Sequence, residues 1–306
     1  MKRTVSMMLA GLMLCGALAG CGNTYGQDQT QEPAANDAGN ADGAPAAMSG
    51  AITVISREDG SGTRGAFIEL TGVEEKNDAG EKVDNTTVDA EIANKTDTVL
   101  TSVASNEKAI GYVSLGALND TVKAVKVAGV EATTDNVKNG SYTLSRPFNI
   151  ATKGVPTGLA ADFIAFIMSK EGQAVIVDNK YIAVDDAAEA FTSDGSSGQI
   201  AVGGSSSVSP VMEKLIEAYK AVNPNAQIDL QTSDSTSGMT GAMDGTFAIG
   251  MASRELKDEE AAELTATAIA LDGIAVVVNP VNSVEDLTMD QIKAIYVGDV
   301  TEWDAL

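Results

Sequence analysis

Residues Ile52-Thr53-Val54-Ile55-Ser56-Arg57-Glu58-Asp59-Gly60-Ser61-Gly62-Thr63-Arg64-Gly65-Ala66-Phe67-Ile68 decide the reading of this chain. The β-branched run Ile52 to Ser56 has the composition of a strand, and the apolar Ala66-Phe67-Ile68 belongs to a helix. Between them, glycines and hydroxyls sit where a strand turns into a helix. Free backbone N–H groups and the helix dipole favour negative charge there, and glycines let the backbone approach closely. Ser61 and Thr63 add hydroxyl donors. Arg57 adds a planar fork suited to an oxyanion, and Asp59 is placed to hold that guanidinium. The same stretch also permits a plain polar loop whose serines cap the helix.

The same physics recurs further along. Gly203-Gly204-Ser205-Ser206-Ser207-Val208-Ser209-Pro210 follows a second β-branched run and opens a helix at Pro210. Ser209 suffices as its N-cap, so Ser205, Ser206 and Ser207 exceed structural need. Ser233-Asp234-Ser235-Thr236-Ser237-Gly238 again links a strand to an apolar helix face, at Met239 and Met243. The strand from Phe247 runs into Ala252-Ser253-Arg254, which places a hydroxyl and a cation at a strand C-terminus, where open α/β sheets bind ligands. Together these loops indicate a small oxyanion held mostly by neutral dipoles.

Composition narrows the alternatives. The chain has 306 residues with 20 Lys+Arg against 43 Asp+Glu, a net charge of −23, which excludes nucleic acid as the natural partner. Histidine is absent, so Ser-His catalysis and the commonest metal ligand are excluded. The two cysteines, Cys15 and Cys21, fall in the first 21 residues, and neither a metal nor a cofactor is expected. Hydrophobic residues make up 44%, enough for a sizeable core. Lys2 and Arg3 precede the apolar run Met7 to Ala19, the layout of an export signal too short to anchor in a bilayer. Leu18-Ala19-Gly20-Cys21 resembles the bacterial lipobox, which makes residues 1–20 a lipoprotein signal peptide and Cys21 the lipidated tether point. Residues 21–50 lack apolar periodicity and read as a disordered leash.

From residue 51 onward, short β-branched runs alternate with amphipathic stretches. Strands are expected at 52–56, 110–114, 122–127, 148–152, 200–203, 227–231, 247–251 and 273–279. Thr157 opens a helix burying Leu159, Phe163, Phe166 and Ile167, and Met212, Leu215, Ile216, Tyr219 and Val222 mark the inner face of another. Thr288 and Gln291 form a capping box for a helix over about 289–296, with Leu287 and Ile292 spaced as a hydrophobic staple. The pattern is α/β, with helices on both faces of mainly parallel sheets. The acidic stretch at 185–198 reads as a surface linker.

At these residues the chain resembles the phosphate-binding proteins of ABC transporters. Ser56 to Phe67 is similar to their arginine-containing phosphate loop, and Gly203 to Pro210 to their N-terminal phosphate loop. Ala109 to Gly116, Leu144-Ser145-Arg146-Pro147-Phe148, Ile249 to Leu256 and Leu271 to Val276 fit the Gram-positive branch. The resemblance implies a two-lobed periplasmic-binding-protein type II fold with a ligand cleft between lobes. It implies phosphate contacts from Arg57, Ser61, Gly62 and Thr63 in one lobe and from Ser206, Ser207, Thr236 and Ser253 in the other. Ser205, Ser237 and Arg254 are additional candidates. The implied protein is an extracellular, lipid-anchored monomer on the cell membrane that captures inorganic phosphate for ABC permease subunits, with no covalent chemistry.

Two departures bear on that picture. Ser253 stands where the best-known members carry an aspartate that accepts the proton of hydrogen phosphate, which opens the site to another oxyanion such as sulfate. In the family the serine-rich loop comes first, whereas here the arginine loop at 57 precedes it, so the chain reads as circularly permuted. Its lobes are then 51–146 plus 280–306, and 147–279, with crossings near Pro147 and Pro280. A fragment of a tandem gene is the alternative for the order. A non-transport sensor or interaction lipoprotein, or a secreted phosphoesterase, is the alternative for the function. The last lacks any histidine, Gly-x-Ser-x-Gly elbow or evident carboxylate metal cluster.

Overall fold

The computed structural model describes residues 47–306; the expected signal peptide, Cys21 and all but the end of the leash lie outside the described residues. Among the described residues no helix is long and apolar enough to cross a membrane. The principal strands are β1 (Thr53–Arg57), β2 (Glu91–Ala93), β3 (Ala109–Ser114), β4 (Ser145–Thr152), β5 (Gly198–Ser205), β6 (Ala226–Ser233), β7 (Ile249–Ala252) and β8 (Thr265–Val278). They join in one sheet in the order β6-β5-β7-β4-β8-β3-β1-β2, and two short strands pair with β8 beside this path.

The sheet is parallel at its two ends and antiparallel in its middle, which corrects the expectation of mainly parallel pairing. β1 runs parallel to β2 and β3, and β5 runs parallel to β6 and β7. β4 pairs antiparallel with β7 and β8, and β8 antiparallel with β3. The reason is connectivity: the chain passes through the middle in one direction on β4 and returns on β8. The fourteen residues of β8 extend roughly 45 Å at the usual rise of a strand, long enough to belong to both ends. Thr265 to Gly273 pair with β4, and Ile274 to Val278 pair with β3. The partner of β8 thus changes between Gly273 and Ile274.

The principal helices are α1 (Gly62–Thr71), α2 (Thr96–Ser105), α3 (Gly158–Ile167), α4 (Ser209–Val222), α5 (Ser235–Asp244) and α6 (Met289–Val297). Their starts follow from local chemistry. Ser61 caps α1 by accepting the N–H of Arg64, and Asp234 caps α5 by accepting the N–H of Ser237. Thr288 and Gln291 make the expected reciprocal box at α6. α4 departs from expectation: Val208 occupies the N-cap, while the Ser209 hydroxyl donates to the carbonyl of Ser205 at 3.1 Å. Phe247 also stays outside β7. Its ring packs where a Cβ on Gly203 or Gly241 would collide.

Packing separates the two ends of the sheet. Phe67, Tyr112 and Tyr296 centre one core, with Phe67 and Tyr112 stacked at 3.9 Å and Tyr296 meeting Phe67 edge-on at 4.7 Å. Ile274, Val276 and Val278 of β8 pack into this core. Phe148, Phe163, Phe166, Met212, Leu215 and Tyr219 build the other, so α3 and α4 bury the faces their periodicity marks, except that Val222, at the last turn of α4, is exposed. Each fully buried ring or aliphatic side chain contributes roughly 1.5–3 kcal/mol. The two cores thus outweigh any single polar contact described below. The 185–198 linker is tied down: the Asp162 carboxylate accepts from the Ser193 hydroxyl at 2.7 Å and the Asp194 N–H at 3.0 Å. The N–H of Ile52 donates to the carbonyl of Thr301 at 2.8 Å, and that of Trp303 to Gly50 at 3.0 Å, so the Trp303 turn lies against the start of β1.

α5 sits so close to the sheet that only glycine fits at its contact. A Cβ on Gly238 would lie 2.7 Å from both the Gly204 Cα and the Met251 carbonyl oxygen, backbone atoms that cannot move aside singly. Gly238→Ala is therefore expected to destabilise the fold by about 1–3 kcal/mol, as overpacking typically does, read from the midpoint of urea unfolding at unchanged slope.

Candidate functional site

The site forms where β1 and β5 end and the loops after them face each other. Arg57 closes β1 with only 2% of its surface exposed. A guanidinium that deeply buried needs a matched set of acceptors. Glu58 supplies a bidentate carboxylate, accepting from Nε and Nη2 at 2.8 Å each. Nε also donates to the Ala93 carbonyl at 3.2 Å, at the end of β2. The outer face of the fork is directed across the cleft: Nη2 donates to Ser206 Oγ at 3.1 Å.

The hydroxyls continue from there. Thr63 Oγ1 and Ser207 Oγ lie 2.8 Å apart, and Ser207 Oγ is 3.2 Å from Thr96 Oγ1 at the start of α2. The Ser205 hydroxyl accepts from the Ser207 N–H and donates to Ser253 Oγ at 3.0 Å. The Ser253 N–H donates to Ser235 Oγ at 3.1 Å. Gly62 lies against this chain, where a Cβ would come 2.8 Å from Ser253 Oγ and would collide with Ser235 Oγ. The loops also meet through backbone, with Thr236 N–H donating to the Gly60 carbonyl at 3.1 Å. Ser61, Thr63, Ser205, Ser206, Ser207, Ser235 and Ser253 are all buried. Three helix N-termini, those of α1, α4 and α5, thus converge on one nest of hydroxyls beside a fixed guanidinium.

Arg57, Gly62, Thr63, Ser205, Ser206, Ser207 and Ser253 meet here, whereas the Ser61 hydroxyl caps α1, the Thr236 hydroxyl accepts from Arg254, and Asp59, Ser237 and Arg254 are arranged otherwise. Asp59 does not hold Arg57. Its side chain is 97% exposed and pairs with Arg64 at 2.9 Å, because the turn at Gly60 points it outward, and Glu58 takes the orienting position. The Ser237 hydroxyl donates to Asp234 Oδ2 at 2.6 Å, outside the nest. Arg254 turns away into a bidentate pair with Glu260 at 2.7 and 2.8 Å, with Nη2 also donating to Thr236 Oγ1. It lines a cavity of about 690 Å³ between α1 and the segment after β7.

Glu58, Thr96, Ser235, Arg146 and Asp272 were missed from sequence. Thr96 was findable, because Val99, Leu100 and Val103 mark a helical face behind it. Arg146 and Asp272 each interrupt an apolar strand, which calls for a buried partner. They face each other across β4 and β8 at 3.2 Å.

Comparison with known proteins finds related chains. The chain matches the family described as PBP superfamily domain over residues 28–171 and 189–306. It is 48% identical over 302 residues, 98% of this chain and 96% of the relative, to "Phosphate-binding protein PstS 2" of Streptococcus agalactiae serotype V. A crystal structure of a phosphate ABC transporter phosphate-binding protein from Streptococcus pneumoniae is 49% identical and covers 84% of this chain and 99% of its own, with a TM-score of 0.68. The match to "Phosphate-binding protein PstS" of Bacillus subtilis is 33% identical over 137 residues, 44% of this chain and 42% of the relative.

Burial works against the charge on Glu260, but the Arg254 guanidinium and the Lys257 N–H outweigh it and hold the carboxyl below its ordinary range. A depressed carboxyl contributes stability above its unfolded range that is lost as pH falls through the folded one. Glu260→Gln is expected to cost on the order of 3 kcal/mol at neutral pH by leaving Arg254 uncompensated, with the difference from wild type shrinking below about pH 4, in chemical unfolding at each pH. By its fold, its paired donor loops and these relatives, the chain belongs to the PstS family of phosphate-binding proteins within the PBP superfamily.

Proposed function

We propose that the protein captures inorganic phosphate and delivers it to the permease of an ABC importer. The observation that carries this reading is the convergence of Arg57, held rigid by Glu58, with hydroxyls and helix N-termini from two separate loops. Phosphate offers oxygens in a tetrahedron, and the donors approach from opposite sides. In the arrangement described the hydroxyls bond to one another, and an arriving oxyanion takes over those bonds as the lobes adjust around it. Charge-assisted hydrogen bonds contribute roughly 1.5–3 kcal/mol each, so a few suffice for micromolar binding, which needs about 8 kcal/mol. The relatives named as phosphate-binding proteins support the same ligand.

The lobes in this reading are 51–146 plus 274–306, and 147–273, with the hinge on β4 and β8. The exchanged order of the halves is read as a circular permutation. It is supported by the Trp303 turn lying against the start of β1, and by a match to the Bacillus relative that spans under half of either chain. The near full-length match to the Streptococcus relative supports the same order there. Cys21 would carry the lipid that keeps the receptor at the outer face of the membrane, as a monomer with no metal or cofactor. No covalent bond to the ligand is made or broken in this mechanism.

Titration calorimetry is expected to show phosphate binding that Arg57→Ala weakens by roughly tenfold or more, one charge-assisted bond's worth. Glu58→Gln is expected to weaken it several-fold and Asp59→Asn by less than about twofold, since only Glu58 touches the guanidinium. Sulfate in the same cell tests the consequence of Ser253: an uncharged hydroxyl there lets sulfate compete. No heat with phosphate, sulfate or arsenate overturns the reading.

A further inference from the structure

A second guanidinium reaches the hydroxyl nest from the hinge. Arg146 sits on β4 with its side chain 2% exposed, in register with Asp272 on β8, so the pair occupies the two strands that cross between the cores. Its Nη2 donates to Thr63 Oγ1 at 3.1 Å and lies 3.2 Å from Asp272 Oδ2. The Phe148 ring lies 5.5 Å from its central carbon. Nε and Nη1 of Arg146, and Oδ2 of Asp272, have no hydrogen-bond partner among the described residues. A buried arginine with two unused donor groups is an arrangement that structural pairing alone does not explain.

Thr63 decides what Arg146 does. A hydroxyl that accepts from a guanidinium must direct its own proton elsewhere. With one lone pair taken by Arg146, Thr63 Oγ1 has its proton free for Ser207 Oγ, 2.8 Å away, or for a guest in the space the two loops enclose. The charges around Arg146 are Asp272 on β8, Arg57 on β1, and the neutral phenols of Tyr112 on β3 and Tyr181 beside β8. Burial, with Arg57 as a like charge, lowers the Arg146 guanidinium to about 10 despite the attraction of Asp272, and burial pushes Asp272 up to about 6. The fold thus holds two guanidiniums near one another at a cost that a doubly charged guest relieves.

We propose that Arg146, oriented by Asp272, is a positioning and specificity-determining residue of the oxyanion site: it fixes Thr63 as a donor and biases the site toward the dianionic form of phosphate. This rests on phosphate being the ligand. The structure therefore assigns the site two arginines, one on a donor loop and one on the hinge.

The test is phosphorus NMR and calorimetry on the intact protein with inorganic phosphate, across the second ionisation of free phosphate. In wild type the bound signal is expected to stay at its dianion position over the whole range. In Arg146→Gln affinity is expected to fall roughly tenfold or more, and the bound signal to move with pH, because the monoanion now binds too. Arg146→Lys is expected to restore the fixed signal, which a merely structural role would not require. Should the glutamine variant fail to fold, Asp272→Asn carries the same readout, with a bound signal that moves with pH where that of wild type stays fixed. Phosphate binding with a pH-independent signal and unchanged affinity in Arg146→Gln, or in Asp272→Asn where that replaces it, overturns the inference and leaves the parent reading intact. Failure of wild type to bind phosphate defeats the parent reading instead.

Discussion

The buried guanidinium of Arg57 is the constraint around which the rest is arranged. Removing such a charge from water costs several kcal/mol even after relaxation, so its acceptors must be rigidly placed. Glu58, the Ala93 carbonyl, Thr96 and Ser206 come from three separate segments and meet at one fork. β1 must end where it does, β2 must pair beside it at Ala93, and the loop after β5 must lie opposite. The parallel ends of the sheet deliver that geometry because they leave strand C-termini and helix N-termini on the same side.

The antiparallel middle does a different task. β4 and β8 pass between the two cores, and each core has its own aromatic cluster. Arg146 and Asp272 stand at those crossings in direct register. Through Thr63 the pair also touches the hydroxyl nest. The protein's −23 charge opposes anion approach at long range, and this repulsion is screened beyond about 8 Å at physiological ionic strength.

Much of this was legible in the sequence because the chemistry is local. The loop at 56–65, the three-serine run at 205–207 and the capping box at 288–291 each carry their signal within a few residues, and each folds close to expectation. What was not legible depends on distant partners. Glu58 and Asp59 are both acidic neighbours of Arg57, and only the outward turn at Gly60 separates their roles. Arg254 looked like a ligand because the sequence does not show that Glu260 folds back onto it. Arg146 and Asp272 were visible as charges inside apolar strands, but their pairing is set by a register between segments some 126 residues apart. The change of partner between Gly273 and Ile274 was not legible because β8 runs through it without a break, and no proline or glycine-rich turn marks it.

The most direct measurement is the position of a bound oxyanion in crystals grown with arsenate, located by the anomalous signal of arsenic. The account predicts a single strong peak within hydrogen-bonding reach of the Arg57 guanidinium, Thr63 Oγ1 and the Ser206 and Ser207 hydroxyls. A peak at another surface, with these groups still bonded to one another, would contradict it.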